Sequence, residues 1–536
     1  MTHHRRSPVA SSVVRTRVVA LAACLGCTLI SARPADAQGG TGIAYTLRVP
    51  EPENHTLDVA ARIPTGGQDS VILVMPIWSP GFYRVEDYAG KIQAISATGP
   101  DGRTLALRRW SAPLNRWTVA TNGAPFVTVT YRLLADGHSV TTDWVGPELG
   151  VVNGPATFMT LADTVRRRYE VTLVPPAQWP RAATGLAPAP GGRPDQWSAP
   201  DYDDLVDEPI VAGDLSIHAF DVRGHSFELV DVGQPASWDG ASAAADLKRI
   251  VRANDLVWHD LPFRRYVFLN VFRRGGGGLE HKNSTLLTAG DRAATPEGYR
   301  RWLAFVAHEY VHAFNVKRLR PVELGPFDYE REPHTPSLWE AEGVTTYLAD
   351  LAVARAGLST PEQFLVGLSG QIADLQSEPG RLVQTVAQSS LSVWTNSFSG
   401  INADSSTVSY YVKGTVLGFL LDAKVRHASG GRRSLDDVMR IAYRRYGGAR
   451  GFTPEQFRAV ASEVAGNERH GAADLSAWFR RAVDSTAELD YDEALDWFGL
   501  RFADPGASGP ARWSLAVRPD ASEAQRAHLH ALLTAR

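Results

Sequence analysis

The chain has almost no cysteine. Its 536 residues include only Cys24 and Cys27, and both lie within the first 37 positions. Without that segment the chain has no disulfide, thiolate nucleophile or thiolate metal ligand. A disulfide-stapled scaffold and thiol chemistry are excluded, so a hydrophobic core must hold the protein. Charge of one sign is also lacking. The 55 Lys and Arg face 58 Asp and Glu, a formal net charge of −3. This balance gives no electrostatic footprint for a nucleic acid. Beyond the N-terminus no apolar run is long enough to cross a bilayer, so no transmembrane segment is expected there. Gly275 to Gly278 are not followed by Gly-Lys-Ser/Thr, which argues against a phosphate-binding loop.

Residues 1–37 read as an export signal. Arg5, Arg6, Arg15 and Arg17 make a positive start, Val18 to Ile30 is apolar, and Ala35-Asp36-Ala37 is a small-residue cleavage site. The mature chain is expected in the periplasm or outside the cell. Leu21-Ala22-Ala23-Cys24 offers lipoprotein anchoring through Cys24 as a minor alternative.

The strongest chemical signal is His308-Glu309-Tyr310-Val311-His312. On a helix, residues four apart share a face, so both histidines can grip one metal ion. Glu309, next to the first of them, can serve as general base toward a water on that metal. Trp302, Leu303, Val306, Val311 and Phe314 surround the motif, so the helix is expected to be buried. Buried His and Glu need partners, and a metal supplies one. A third ligand is expected from Leu338 to Leu351, which reads as a second helix. Spacing leaves Glu340 and Glu342 both open.

Residues from about 40 to 215 alternate like strands: Tyr45 to Val49, His55 to Val59, Ser70 to Val74 and Phe126 to Tyr131. They imply an antiparallel β-sandwich-like domain. Pro76 to Tyr83 reads first as a turn packed on that sandwich, with a substrate-contacting loop as the alternative. The acidic run Asp201 to Glu208 reads as a solvated linker, with a calcium site as the alternative. A helix from Ser242 to His259, with Ser242 as N-cap, and a strand from Tyr266 to Phe272 lead to the four glycines, which would let a strand edge approach a peptide. After about residue 357 the pattern is helical. Thr360-Pro361-Glu362-Gln363 and Thr453-Pro454-Glu455-Gln456 each combine an N-cap, an N1 proline and a capping glutamine.

Several stretches together resemble the glycyl aminopeptidase family of zinc peptidases, which is related to aminopeptidase N. They are His308 to Pro321, Pro76 to Ala89, Gly277 to His281, Trp339 to Tyr347 and Tyr410 to Gly414. The resemblance implies one zinc ion held by His308, His312 and Glu342, with Glu309 as base toward a zinc-activated water. It implies Tyr411 as donor to the oxyanion, with Tyr410 as rival, and Glu280 as holder of the substrate's free amine beside Gly277 and Gly278. Where thermolysin-like relatives often carry an Asp that orients a His, this chain has Thr346. The implied fold is α+β: a signal peptide over 1–37, an N-terminal β domain over 38–215, and a thermolysin-like catalytic domain over 216–356. A helical domain over 357–502 and a short tail over 503–536, without the usual C-terminal PDZ domain, complete it. The implied activity is that of an exported aminopeptidase acting on peptides with Gly or Ala first. The alternatives are an endopeptidase with the same core and a catalytically idle peptide-binding protein.

Overall fold

The computed structural model describes residues 42–273, 275–395, 406–466, 472–504 and 506–534. The export-signal reading, with Cys24, and Arg274 lie outside them.

Strands form where β-branched residues alternate. Ser70–Val74 forms as read, while Ile43–Arg48, Thr56–Pro64 and Phe126–Leu134 overlap or extend the other three expected stretches. One eight-stranded and two four-stranded sheets make up the N-terminal β region. Ile43–Arg48 runs antiparallel to Thr56–Pro64 but parallel to Tyr169–Val174, a pairing the expectation of antiparallel strands did not include. Leu47, Leu57, Leu73, Trp117 and Val129 fill its core.

The acidic run is not a solvated linker. Tyr202–Val206 is a short helix capped by Asp201, and Asp207 and Glu208 are buried. Lys317 lies 2.5 Å from Asp207, and the Lys282 amide donates to Asp207 at 2.7 Å. The Ser284 hydroxyl and the Asn283 amide donate to Glu208. Buried carboxylates are tolerated when such donors meet them. Those donors lie far along the chain, so the local pattern did not announce them.

The next region contains a five-stranded mixed sheet. Its strands are β1 (Ser216–Val222), β2 (His225–Val232), β3 (Arg265–Phe272), β4 (Gly277–Glu280) and β5 (Ser284–Ala289), in the order β1-β2-β3-β5-β4. β4 is therefore an edge strand, antiparallel to β5. Helix α1 (Gly240–Trp258) begins before Ser242; its cap is Asp239, whose carboxylate accepts from the Ser242 amide. Helix α2 (Pro296–His312) carries the His-Glu-x-x-His motif and is capped by Thr295. A π-helical turn, Trp339–Val344, leads into α3 (Thr345–Arg355), and α4 (Tyr410–Ala428) crosses that turn.

Both expected capping boxes form. Gln363 and Thr360 exchange backbone-to-side-chain bonds, as do Gln456 and Thr453. The last residues are more than a tail: Leu515–Val517 pairs with Leu500–Phe502, and a helix at Glu523–Leu533 buries Leu532 in the helical core. Among the described residues no helix is long and apolar enough to cross a membrane.

Candidate metal centre

Helix α2 buries Trp302, Leu303, Val306, Tyr310 and Val311 and turns His308 and His312 together onto another face. The partner wall is the π turn. Its wider winding is held by two glycines in backbone contact: a Cβ on Gly343 would stand 2.4 Å from the Gly414 Cα, and one on Gly414 would stand 2.4 Å from the Trp339 carbonyl oxygen. Any side chain there would push α4 off the turn. π-helical turns recur at functional sites because they redirect one side chain.

Here the redirected side chain is Glu342. Its Oε2 lies 3.1 Å from His312 Nε2 and 3.6 Å from His308 Nε2, and the two Nε2 atoms lie 2.9 Å apart. The three ligand atoms fall within 4.8 Å of one another. Glu340 leaves the turn on a different face and lines a separate cavity of about 320 Å³ with Trp339, Phe457 and Arg458. The ring nitrogens facing away from the centre are engaged. His312 Nδ1 meets the Asn315 carbonyl at 2.8 Å, and His308 Nδ1 meets the Thr346 hydroxyl at 3.2 Å. A carbonyl only accepts, so His312 Nδ1 carries a proton, and Nε2 is the ring nitrogen turned toward the centre. Two imidazole nitrogens and a carboxylate oxygen turned into one space fit a cation, and the donor set suits zinc. Thr346 stands where an orienting Asp was absent, and the Asn315 amide in turn donates to Thr345 at 2.9 Å.

The charges agree with this geometry. Burial lowers the His312 imidazole, but Glu342, Glu280 and Glu309 outweigh it and lift it to about 10. Burial raises the Glu342 carboxyl, yet the two histidines hold it down at about 2. Glu309 is pushed well above the usual carboxylate range by burial, then by Glu280 and Glu342. The centre therefore favours positive charge.

Glu309 sits directly beneath the edge strand: a Cβ on Gly278 would stand 2.2 Å from its Oε1. Gly278 thus serves a close approach, whereas Gly277 holds a φ of +140°, a backbone conformation that side chains rarely adopt. Glu280, 3% exposed, is pushed up to about 7 by burial, with Glu342 adding to that and His312 and Lys317 opposing it. Tyr411 is half-buried, with its ring centre 6.1 Å from that of His308, whereas Tyr410 is 1% exposed and packs 4.9 Å from the Tyr411 ring. The Pro76 to Tyr83 stretch is not a turn packed on the sandwich: Trp78 and Tyr83 lie outside that core, and Tyr83 belongs to the catalytic one. Tyr83 and Lys317 were missed as neighbours of Glu280, although both lie inside stretches that carried the family resemblance.

The architecture is that of an aminopeptidase-type metallopeptidase. It superposes on the crystal structure of an aminopeptidase N family protein from Idiomarina loihiensis with a TM-score of 0.79 and 28% identity, covering 85% of this chain and 78% of that one. A variant of an M1 zinc metallopeptidase from Deinococcus radiodurans, bound to a Tyr-Ser-Ala substrate, shares the fold at a TM-score of 0.50 and 14% identity, over 84% of this chain and 95% of that one. Aminopeptidase N of Caulobacter vibrioides is 27% identical over an alignment of 249 residues that covers 41% of this chain and only 28% of that relative's length. Residues 44–214 match the Peptidase M61 N-terminal domain and residues 301–417 match M61 glycyl aminopeptidase. The chain belongs to the M61 glycyl aminopeptidase family.

Proposed function

We propose that this protein is a zinc-dependent aminopeptidase that removes a small first residue, Gly or Ala, from peptides. The observation that carries the reading is the neighbourhood of a three-ligand set (His308, His312, Glu342) with two further buried carboxylates, Glu309 and Glu280. One zinc ion at the three ligands would supply Lewis-acid chemistry to water and to the scissile carbonyl. Glu309 takes the proton from the attacking water and hands it to the leaving amine. The Tyr411 hydroxyl donates to the oxyanion. Glu280 accepts from the substrate's terminal ammonium, and the backbone of Gly277 and Gly278 on the edge strand pairs with the peptide. Export to the periplasm through residues 1–37, and the division at about residues 215, 356 and 502, belong to the same reading.

The test is hydrolysis of glycine and alanine p-nitroanilides and of their N-acetylated counterparts, with and without chelator. The free substrates should be cleaved, the acetylated ones refused, and activity should vanish with chelator and return with zinc. Equal cleavage of free and acetylated substrates would favour an endopeptidase. No hydrolysis by zinc-loaded protein would leave a peptide-binding role.

A further inference from the structure

The turn between Pro76 and Tyr83 comes from the N-terminal β region but is anchored on the catalytic one. The Trp78 indole donates to the Asp328 carbonyl at 2.9 Å, and the Ile77 amide donates to the Tyr329 carbonyl at 2.9 Å. The tip of the turn lies on Glu280. Gly81 has a φ of +98°, and a Cβ there would stand 2.3 Å from Glu280 Oε1. Trp78, Gly81, Tyr83, Glu280 and Lys317 line a cavity of about 20 Å³. That is room for roughly one water-sized group.

Arg320 lines this cavity too, and three polar atoms of these residues are buried without a hydrogen-bond partner: Glu280 Oε1, the Tyr83 hydroxyl and Arg320 Nη1. Glu280 and Tyr83 are 3% and 2% exposed. Buried groups left unpaired are costly, and a native protein keeps them for a reason. Tyr83 and Glu280 share this cavity, and burial, then the carboxylates of Glu342 and Glu280, raise the Tyr83 hydroxyl above its ordinary value. A primary ammonium carries three N–H donors. One carboxylate oxygen takes one of them and leaves others to be met.

We propose that Tyr83 is a substrate-binding residue whose hydroxyl oxygen accepts a second hydrogen bond from the terminal ammonium beside Glu280, so that the amine subsite is built jointly by the N-terminal β region and the catalytic region. The inference rests on Glu280 being the amine acceptor. Gly81 is the complementary element: its missing side chain lets the turn close directly onto the Glu280 carboxylate.

The experiment compares Tyr83→Phe, Glu280→Ala and wild type, each zinc-loaded, on glycine p-nitroanilide, with KM and kcat measured separately and thermal melting alongside. Tyr83→Phe should raise KM about tenfold, the worth of one hydrogen bond to a charged group, with kcat within about twofold and zinc content and Tm unchanged. A merely structural hydroxyl would instead move Tm and leave KM alone. Gly81→Ala gives a second reading without touching the hydroxyl and should also raise KM. If Tyr83→Phe keeps the wild-type KM while Glu280→Ala raises it, the amine is read without Tyr83 and this inference alone falls. If Glu280→Ala keeps the wild-type KM, or if N-acetylglycine p-nitroanilide is cleaved as readily as the free substrate, the reading of Glu280 falls and takes the role of Tyr83 with it.

Discussion

The two walls of the centre are built in opposite ways. The wall proposed to hold the metal comes from His308 to His312 on α2 and Glu342 on the π turn, and its three ligand atoms converge at 2.9 to 3.6 Å from one another. The amine wall comes from distant stretches, the Gly81 to Tyr83 tip and the end of β4, and its polar atoms are left unpaired. Ligand atoms gathered on one point suit an ion that stays, whereas separate unpaired polar atoms suit a substrate that comes and goes. The difference predicts what mutations will do: changes in the metal wall should remove chemistry or the ion, and changes in the amine wall should weaken binding.

The largest effect is expected at Glu309. Glu309→Gln should keep its zinc, measured by atomic emission, and lose about 10²- to 10⁴-fold in kcat, the range for a missing general base. Near-wild-type turnover would remove the proton-transfer role. Next comes Tyr411→Phe, which should cost about 2.7–4 kcal/mol in kcat with little change in KM, while Tyr410→Phe should be mild because Tyr410 is packed away from solvent. The opposite ranking in steady-state kinetics would transfer the donor role to Tyr410. Smaller again is Thr346→Val, which strips the hydroxyl that meets His308 Nδ1. About tenfold weaker zinc retention in a competition with a chelator is expected, as for other outer ligands of metal sites. An unchanged affinity would show that α2 packing alone orients His308.

The smallest effect contrasts the two glutamates of the π turn. Glu340→Gln should leave zinc content and kcat within about twofold, whereas removing the carboxylate of Glu342 should cost the ion. Burial pushes the Glu340 carboxyl up to about 8, so the folded state binds its proton more tightly than the unfolded state does. Its contribution is fully present below the unfolded value and is lost as pH rises through about 8. The Tm of wild type should therefore fall more between about pH 5 and about 8 than that of Glu340→Gln. Identical slopes would mean that the carboxyl is not held neutral.

Much of this molecule was legible without coordinates, for reasons that differ from place to place. Ser70–Val74 and the boxes at Thr360 and Thr453 follow from period-two alternation and from capping chemistry, both properties of a few adjacent residues. The start of α1 was misplaced because Asp239 and Ser242 are both good caps and only the backbone chooses between them. The acidic run misled because a carboxylate looks the same in solvent as beside Lys317.

By itself the sequence brought two of the three proposed ligands, His308 and His312, together. The helical period puts His308 and His312 on one face wherever α2 goes, and the apolar residues around them bury that face. Spacing could not choose between Glu340 and Glu342, nor show that Thr346 supports a histidine. The tertiary structure decided those points by inserting a π turn where Gly343 meets Gly414. It alone set the Gly81 turn on Glu280, because that contact depends on how stretches far apart in the chain pack together, and no local periodicity encodes the register between such surfaces.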